Sequence, residues 1–341
     1  MSLRSCAMWL LSAFVAAALT AGHAASQAAT VACPVPVAPG QGIDEELFQL
    51  REIDMHLHCG LERPIPLEAW IDSAVADGRK VIVGLDHFEG YHRTPEQLAA
   101  WRAERDRPPW YGVGAEGRKA FQDDLASLER RKDVVVFRGW EFGEATLDRP
   151  PQPDILQGAE VIGFHIGENK GGPAPDGQHL IHRVRQAIAL QEQVPIPMIL
   201  FHPLAMRVAN LHRTATAADR DPSTITVAEY RFYTPAQQDT LISLLRGRSI
   251  YIEVGRRFVG LWQDPTVRQA LIEDIRPLAE AGVQFTVSTD GHGLGGPSFQ
   301  PNVYCDALGV TPRHTNTIVR ELLAARARRA VAAAQEAEVA R

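Results

Sequence analysis

The feature of this chain that most constrains its fold is a repeated alternation of short apolar runs and amphipathic segments. Seven runs rich in β-branched residues begin near residues 52, 81, 134, 160, 197, 249 and 284. Segments with helical periodicity lie between them, such as PLEAWIDSAVADG after the first run and GQHLIHRVRQAIALQEQ after the fourth. Strand-like runs that alternate with amphipathic helices predict repeated βαβ units and a parallel sheet.

The polar residues at the ends of these runs favour a barrel over an open sheet. The runs are EIDMHLHC, VIVGLDH, VVVFRGWEF, EVIGFHIGE, PMILFHP, SIYIEVG and QFTVSTDGH, and six of the twelve histidines lie in them. An open sheet places its ligand crevice beside only the strands near a switch point, whereas every strand of a barrel contributes at its carboxyl end. We therefore expect a single α/β domain, a distorted (β/α)7 barrel related to the TIM barrel.

The first 45 residues predict a leader and a tether. Residues 1–24 contain one Arg, an apolar stretch and then small residues, which is the layout of a secretory signal peptide. An uncleaved amino-terminal anchor is the alternative, but the apolar stretch is short for a membrane span. Residues 25–45 are rich in Ala, Pro, Gly and Val without helical period and predict an extended tether. We expect an exported protein, periplasmic or secreted, with its barrel in residues 46–341 and no membrane span after cleavage.

Composition indicates the class of partner. The chain has 341 residues, a net charge of −6 and an isoelectric point near 6.1, so it offers no basic field for nucleic acid. We expect a small-molecule substrate. The roles of Cys33, Cys59 and Cys305 stay open among packing, a disulfide and metal ligation, and packing is favoured.

Eight side chains at the strand ends are candidate metal ligands. His56 and His58 are two apart on a strand, so both project from one face and can hold one ion, and Asp54 is expected on that face too. Asp290 and His292 repeat this spacing. The full set is His56, His58, His87, Glu141, His165, His202, Asp290 and His292. Imidazole together with carboxylate suits Zn, Mn or Fe better than the all-oxygen sites of Ca or Mg.

Other residues are candidates for proton transfer and substrate binding. Asp86 and Asp290 are predicted catalytic groups, although Glu253 also lies where an acid could act. Four cations are candidates to bind an anionic group of the substrate: Lys170, Arg207, Arg256 and Arg257. Two long connections, near 89–114 and 203–234, are expected to lie as loops over the site.

Six motifs together resemble the polymerase and histidinol phosphatase (PHP) family of metal-dependent phosphoesterases. In chain order they are DMHLH, GLDH, the Glu after an apolar strand, GFH, FHP and TDGH, within residues 52–293. The resemblance implies a distorted seven-stranded barrel with two or three metal ions. The first ion would be held by His56, His58, Glu141 and Asp290.

The rest of the implied ligand set follows the same motifs. Glu141 would bridge to a second ion held by His165 and His202, and His87 and His292 would serve a third. The family commonly has one more histidine shortly after the first motif, where this chain reads CGLERPIP. The resemblance therefore supports two ions better than three.

The expected function is metal-dependent hydrolysis of phosphomonoesters or phosphodiesters by a metal-bridged hydroxide. One alternative is a hydrolase of the amidohydrolase type that acts on amides or lactones. Such enzymes usually bridge their metals with a modified lysine or a glutamate on the fourth strand, whereas Glu141 follows the third run. A non-catalytic metal-binding protein is the other alternative.

Overall fold

The computed structural model describes residues 47–59, 65–92, 94, 96, 99–100, 114–151, 153–156, 158–167, 175–294 and 299–339. All of them lie in one compact unit that spans Pro36–Arg341. The predicted leader 1–24 and the whole predicted tether 25–45 with its Cys33 lie outside the described residues. Lys170 and residues 101–113 of the first long connection also lie outside them.

Seven parallel strands form one sheet in chain order. Their bounds are β1 (Ile53–His58), β2 (Val81–Leu85), β3 (Val135–Gly143), β4 (Val161–His165), β5 (Met198–Phe201), β6 (Ile250–Gly255) and β7 (Phe285–Ser288). Each strand pairs with the next in parallel register. The seven predicted strands are confirmed.

Helices connect and surround the strands. Those described are α1 (Leu67–Ala76), α2 (Gly114–Ser127), α3 (Gly177–Gln191), α4 (Pro203–Ala217), α5 (Val227–Tyr230), α6 (Pro235–Leu245), α7 (Arg257–Leu261), α8 (Pro265–Glu280), α9 (Asn302–Leu308) and α10 (Pro312–Val339). Within the described residues, no helix is long and apolar enough to cross a bilayer.

The barrel closes between β1 and the residues that follow β7. Leu57 forms a parallel bridge with Gly291, and the His58 amide donates to the Gly291 carbonyl at 3.1 Å. The Asp54 carboxylate adds to this closure, because it accepts hydrogen bonds from the Thr289 amide at 3.0 Å and the Thr289 hydroxyl at 2.6 Å. The predicted (β/α)7 barrel is confirmed.

Asp54 does not share the metal-facing position expected for it. The register of β1 against β2 shifts between Asp54 and Leu57, which indicates an irregularity of the bulge type. Such an irregularity breaks the simple alternation of faces, and the Asp54 carboxylate is engaged by Thr289 instead.

The expectation of a long loop over residues 203–234 is wrong. Helix α4 begins directly after His202 and occupies half of this segment, and α5 follows it. Pro203 stands at the first helical position, where its fixed φ and missing N–H favour a helix start. The proline therefore ends the strand and also starts a helix.

The carboxyl-terminal helix α10 is anchored by apolar packing and by one buried carboxylate. Ile318, Val319 and Leu322 are buried against the barrel. Glu160, which precedes β4 and is 2% exposed, pairs with Arg326 at 2.6 Å. Cys59 and Cys305 are both buried and free, so packing is the role that the structure shows for them.

Candidate metal centre

All eight predicted ligands meet at the carboxyl-end mouth of the barrel. They are contributed by β1, β3 and β4 and by the turns that follow β2, β5 and β7. The barrel thus brings together residues as far apart in sequence as His56 and Asp290, whose side chains approach to 3.7 Å. That these side chains bind metal stays a prediction.

Four of the ligand atoms form a compact cage. His56 Nε2 and His58 Nε2 are 2.9 Å apart, and Glu141 Oε2 lies 3.4 and 3.0 Å from them. Asp290 Oδ1 lies 3.7 Å from His56 Nε2 and 3.5 Å from His58 Nε2. Ligands about 2.05 Å from a tetrahedral zinc ion stand roughly 3.3 Å from one another. The cage therefore has the dimensions of a single metal position.

Glu141 lies at the centre of the histidines. Besides the two histidines of β1, its Oε2 is 3.0 Å from His87 Nδ1, and its other oxygen, Oε1, is 3.4 Å from His165 Nδ1. Its side chain is 1% exposed. The two carboxylate oxygens thus face different imidazoles, which is the arrangement that a carboxylate bridging two cations needs.

Asp290 and His202 lie beside each other in the cluster, and both have unusual backbone angles. Asp290 Oδ2 is 3.5 Å from His202 Nε2. Their φ angles are +51° and +57°, in the left-handed region that non-glycine residues rarely occupy. Such strain persists where the surrounding structure enforces it and is concentrated at functional sites. The backbone geometry is thus consistent with a functional site here.

Two histidines form a more open rim. The His58 ring lies 4.4 Å from His87 and 4.0 Å from His292 between centroids. The side chains of His87 and His292 are 36% and 34% exposed, whereas His58 is 1% exposed. Solvent therefore reaches the cluster from this side.

Within the described part of the chain, three groups have ligand atoms that all lie within 4.8 Å of one another. They are His56, His58 and Glu141; His56, His202 and Glu253; and His58, His87 and His292. His165 belongs to none of these groups. Its ring stands nearly perpendicular to that of His202 with centroids 5.2 Å apart, so the expected His165 and His202 pair is near but not in one tight group.

Glu253 is the residue whose role the sequence argument missed. It lies within β6 and is fully buried, with Oε1 2.8 Å from His56 Nδ1 and Oε2 2.5 Å from His202 Nδ1. The available signal was a carboxylate inside the apolar run SIYIEVG, because an unpaired buried carboxylate is costly.

The floor of the cluster is an aromatic ring. Phe201 stacks on the His56 imidazole with centroids 3.7 Å apart. Gly163 of β4 makes room for this ring, since a Cβ at that position would lie 1.8 Å from Phe201 Cε2. The absence of a side chain in β4 therefore allows a flat support under His56.

The buried carboxylates of the cluster are stabilised by nearby positive charge. Burial alone raises the pKa of Glu141, but His87, His56 and His58 bring it well below the usual value. Burial lowers the pKa of His56, yet Glu141 and Glu253 raise it to about 9. The pKa of Asp290 is likewise held low despite burial, chiefly by His58. The carboxylates are thus stable as anions only beside cations.

Unpaired buried atoms show that the site suits a cation. His58 Nδ1, Glu141 Oε2 and His165 Nε2 are buried and have no hydrogen-bond partner among the described residues. Leaving such atoms unsatisfied costs free energy. A ligated divalent ion would satisfy the carboxylate oxygen and supply the missing charge, so this donor set fits the metals expected from the sequence.

The predicted catalytic group Asp86 is placed behind His58. Its Oδ1 accepts the His87 amide at 2.7 Å and lies 3.9 Å from His58 Nδ1, and the residue is fully buried. This position suits a group that orients His58. Proton transfer to a substrate by Asp86 stays a prediction.

Of the three predicted substrate-binding cations that the structure describes, Arg257 alone contacts the cluster. Its guanidinium contacts Asp290 Oδ2 at 2.7 and 2.8 Å and is 44% exposed. Arg207 of α4 instead donates to the carbonyls of Glu229 and Tyr230 in α5 and to that of Pro175 before α3. Its guanidinium is thus used in holding these segments together.

Arg256 lies beside another cavity and not at the cluster. That cavity is also lined by Asp54, Trp70 and Arg79, on the α1 side of the barrel closure. The prediction for Lys170 lies outside the described residues.

Comparison with known proteins identifies no family for this chain. The sequence matches no known family, and it matches no curated protein. Solved structures of similar fold include a phosphatase, an amidohydrolase and a deaminase. A zinc, L-histidinol and phosphate complex of histidinol phosphate phosphatase from Lactococcus lactis is 14% identical, with 76% of this chain and 92% of that one covered and a TM-score of 0.44.

The other two are an amidohydrolase and a deaminase. The Burkholderia ambifaria amidohydrolase with bound zinc is 12% identical, with 77% of this chain and 67% of that one covered and a TM-score of 0.37. Adenine deaminase from Arthrobacter aurescens is 12% identical, with coverages of 73% and 69% and a TM-score of 0.38. At TM-scores below 0.5, these likenesses assign no activity to the chain.

Proposed function

We propose that this protein is a metal-dependent hydrolase that acts on phosphate esters and uses two or three divalent ions, Zn, Mn or Fe. The observation that supports this most directly is the position of Glu141, whose two buried oxygens face four imidazoles from β1, β4 and the turn after β2. A single carboxylate shared in this way suits adjacent cations better than one isolated ion.

The chain's residues would hold these ions at the mouth. His56, His58, Glu141 and Asp290 surround one position, and Glu141 Oε1 faces His165 on the side of a second. When bound, divalent ions lower the pKa of a coordinated water and stabilise the charge that develops on the attacked group. The buried walls keep bulk water away from all but the rim.

The rim supplies the contacts that a small anionic substrate needs. Arg257 stands half exposed beside Asp290, so its guanidinium can turn toward a phosphate group at the open side of the cluster. Guanidinium groups bind phosphate through paired, charge-assisted hydrogen bonds. His87 and His292 flank the same opening and would hold the third ion, where one is bound, beside the ester.

The position of the bridging carboxylate favours phosphate esters over amides. Glu141 belongs to β3, and the residue that β4 presents at the mouth is His165 and not a lysine or glutamate. Hydrolases of the amidohydrolase type usually place their bridging group on the fourth strand. The late aspartate, Asp290, is common to both types and does not discriminate between them.

A substrate panel tests the proposal. Purified protein loaded with Zn²⁺ or Mn²⁺ is assayed on phosphomonoesters, phosphodiesters, lactones and amides, with an Asp290→Asn variant as the control for contaminating activity. We expect hydrolysis of phosphate esters that the variant lacks. Activity confined to lactones and amides would replace the proposal with an amidohydrolase function, and binding without any turnover would favour a metal-binding role.

We also propose that the protein is exported. The support is the arrangement of residues 1–24, in which an apolar stretch precedes AGHA. Mass spectrometry of the protein recovered from its native cells should find a mature amino terminus near residue 25. An intact Met1 on protein retained inside the cell would contradict this.

A further inference from the structure

Glu253 contacts two predicted metal ligands through the ring nitrogens that face away from Asp290. Its two oxygens each face the Nδ1 atom of a different imidazole, His56 at 2.8 Å and His202 at 2.5 Å. On the other side of both rings, the Nε2 atoms face the two oxygens of Asp290, at 3.7 and 3.5 Å. The two imidazoles are therefore held between one carboxylate behind and another in front.

The remaining hydrogen bonds of Glu253 fix its orientation. Oε2 also accepts the His202 backbone amide at 3.0 Å, and Oε1 accepts the Ser288 hydroxyl. Every partner is buried, so no solvent competes for these oxygens. Oε2 must act as an acceptor, because the His202 amide can only donate.

Space for this carboxylate depends on a glycine two residues later. A Cβ at Gly255 would lie 2.9 Å from Ser288 Oγ and 3.3 Å from Glu253 Cδ. The β6 backbone thus leaves the volume in which Glu253 and Ser288 meet.

We infer that Glu253 is a positioning residue that sets the tautomer of His56 and His202 together, leaving both Nε2 atoms free to bind metal. This inference rests on the metal centre of the proposed function and adds one residue that links two of its positions. Carboxylates that accept the second N–H of a metal-binding imidazole are a general device for orienting the ring.

The substitution Glu253→Gln is expected to affect His56 and His202 differently. An amide has one oxygen and one NH₂ group, and the NH₂ group cannot face the His202 amide without a clash of two donors. The oxygen must therefore stay on the His202 side. The NH₂ group would then face His56 Nδ1 and the Ser288 hydroxyl, which can rotate to accept.

His56 alone must then change tautomer. With a donor opposite its Nδ1, His56 carries its proton on Nε2 and loses the lone pair that a metal ion needs, while His202 keeps its own. One buried Glu→Gln change should thus affect the ion held by His56 and spare the ion held by His202.

Two measurements test this without an activity assay. Long-range ¹H–¹⁵N spectra of His-labelled, Zn²⁺-saturated protein report which ring nitrogen carries a proton, with assignments from single His→Gln variants. Competition with a chromophoric chelator gives the Zn²⁺ affinities. Glu160→Gln is the matched control, because Glu160 is also a buried glutamate but pairs with Arg326 and Arg329.

In the wild type, both rings should carry their proton on Nδ1. In Glu253→Gln, His56 should switch to Nε2–H and one Zn²⁺ should bind ~10- to 100-fold more weakly, while His202 and the control stay as in the wild type. Nε2–H on either ring of the wild type, an unchanged His56 in the variant, or equal weakening of all ions would overturn the inference.

The failures of this inference and of the proposed function are distinguishable. The expected tautomers without turnover on the substrate panel would leave the role of Glu253 intact and remove only the proposed hydrolysis. A wild type that binds none of Zn²⁺, Mn²⁺ and Fe²⁺ would overturn both.

Discussion

The substitution Gly163→Ala tests whether the floor under His56 is as tightly packed as described. The new Cβ would lie 1.8 Å from Phe201 Cε2 and 2.3 Å from Cζ, so about 1.6 Å of movement is needed to restore ordinary contact at 3.4 Å. Strand β4 cannot supply this movement easily, because Gly163 is paired with Glu141 on one side and Ile199 on the other. The Phe201 ring must move instead, and His56 rests on it.

This displacement should lower the free energy of unfolding. Overpacking of a close-packed core costs about 1–3 kcal/mol, and we expect the upper end here because the methyl meets the ring directly. An unfolding entropy of ~2.1 cal/mol/K per residue over ~300 residues gives ~0.6 kcal/mol/K, so ~3 kcal/mol lowers Tm by ~5 °C. Disturbing His56 should also weaken Zn²⁺ binding.

Calorimetry in excess chelator measures the stability term without the contribution of bound metal. Gly260→Ala is the matched control, because a Cβ there meets nothing within 4 Å, and its Tm should be unchanged or slightly higher. A Gly163→Ala protein that unfolds within ~1 °C of the wild type and binds Zn²⁺ normally would refute this packing argument.

Three further predictions follow from particular contacts. Glu141→Gln should lose at least one tightly bound ion by metal analysis and lower kcat/KM by ~100-fold or more, since the bridging charge is removed; normal turnover would exclude Glu141 from the centre. Arg257→Ala should raise KM for an anionic substrate by ~10-fold with a smaller effect on kcat, because a charge-assisted contact is worth ~1.5 kcal/mol or more; an effect on kcat alone would contradict a binding role. Although burial raises the pKa of Glu160, Arg326 and Arg138 bring it below the usual value. The stabilisation from this ion pair should therefore be full above pH ~4.3 and be lost as the pH falls through the lower folded value. The Tm difference between wild type and Arg326→Met should shrink from pH 7 to pH 3, and a constant difference would contradict the coupling.

The barrel could be predicted from the sequence because local pattern and global fold agree. Strands such as β2 and β5 are continuous apolar runs, and Gly78, Gly247 and Gly282 end helices with φ angles of +90°, +74° and +85° as their positions predict. The long loop expected after His202 is wrong because this connection begins with Pro203, and proline favours the first turn of a helix.

The candidate site was predictable only in part, for reasons of geometry. Spacing places His56 and His58 on one face of a strand, and closure of the barrel brings Asp290 beside them. The role of Glu253 depends on which atoms its oxygens reach across the barrel, and residue spacing within β6 does not contain that information. The position of Arg207 away from the cluster was unpredictable for the same reason, because its guanidinium donates hydrogen bonds to three carbonyls from other segments.

Metal analysis of the purified protein tests the central claim most directly. After gel filtration in metal-free buffer, inductively coupled plasma mass spectrometry should find about two or three equivalents of Zn, Mn or Fe per chain, with fewer in Glu141→Gln. A wild-type protein that is folded and hydrolyses its substrate with no bound metal would contradict the account.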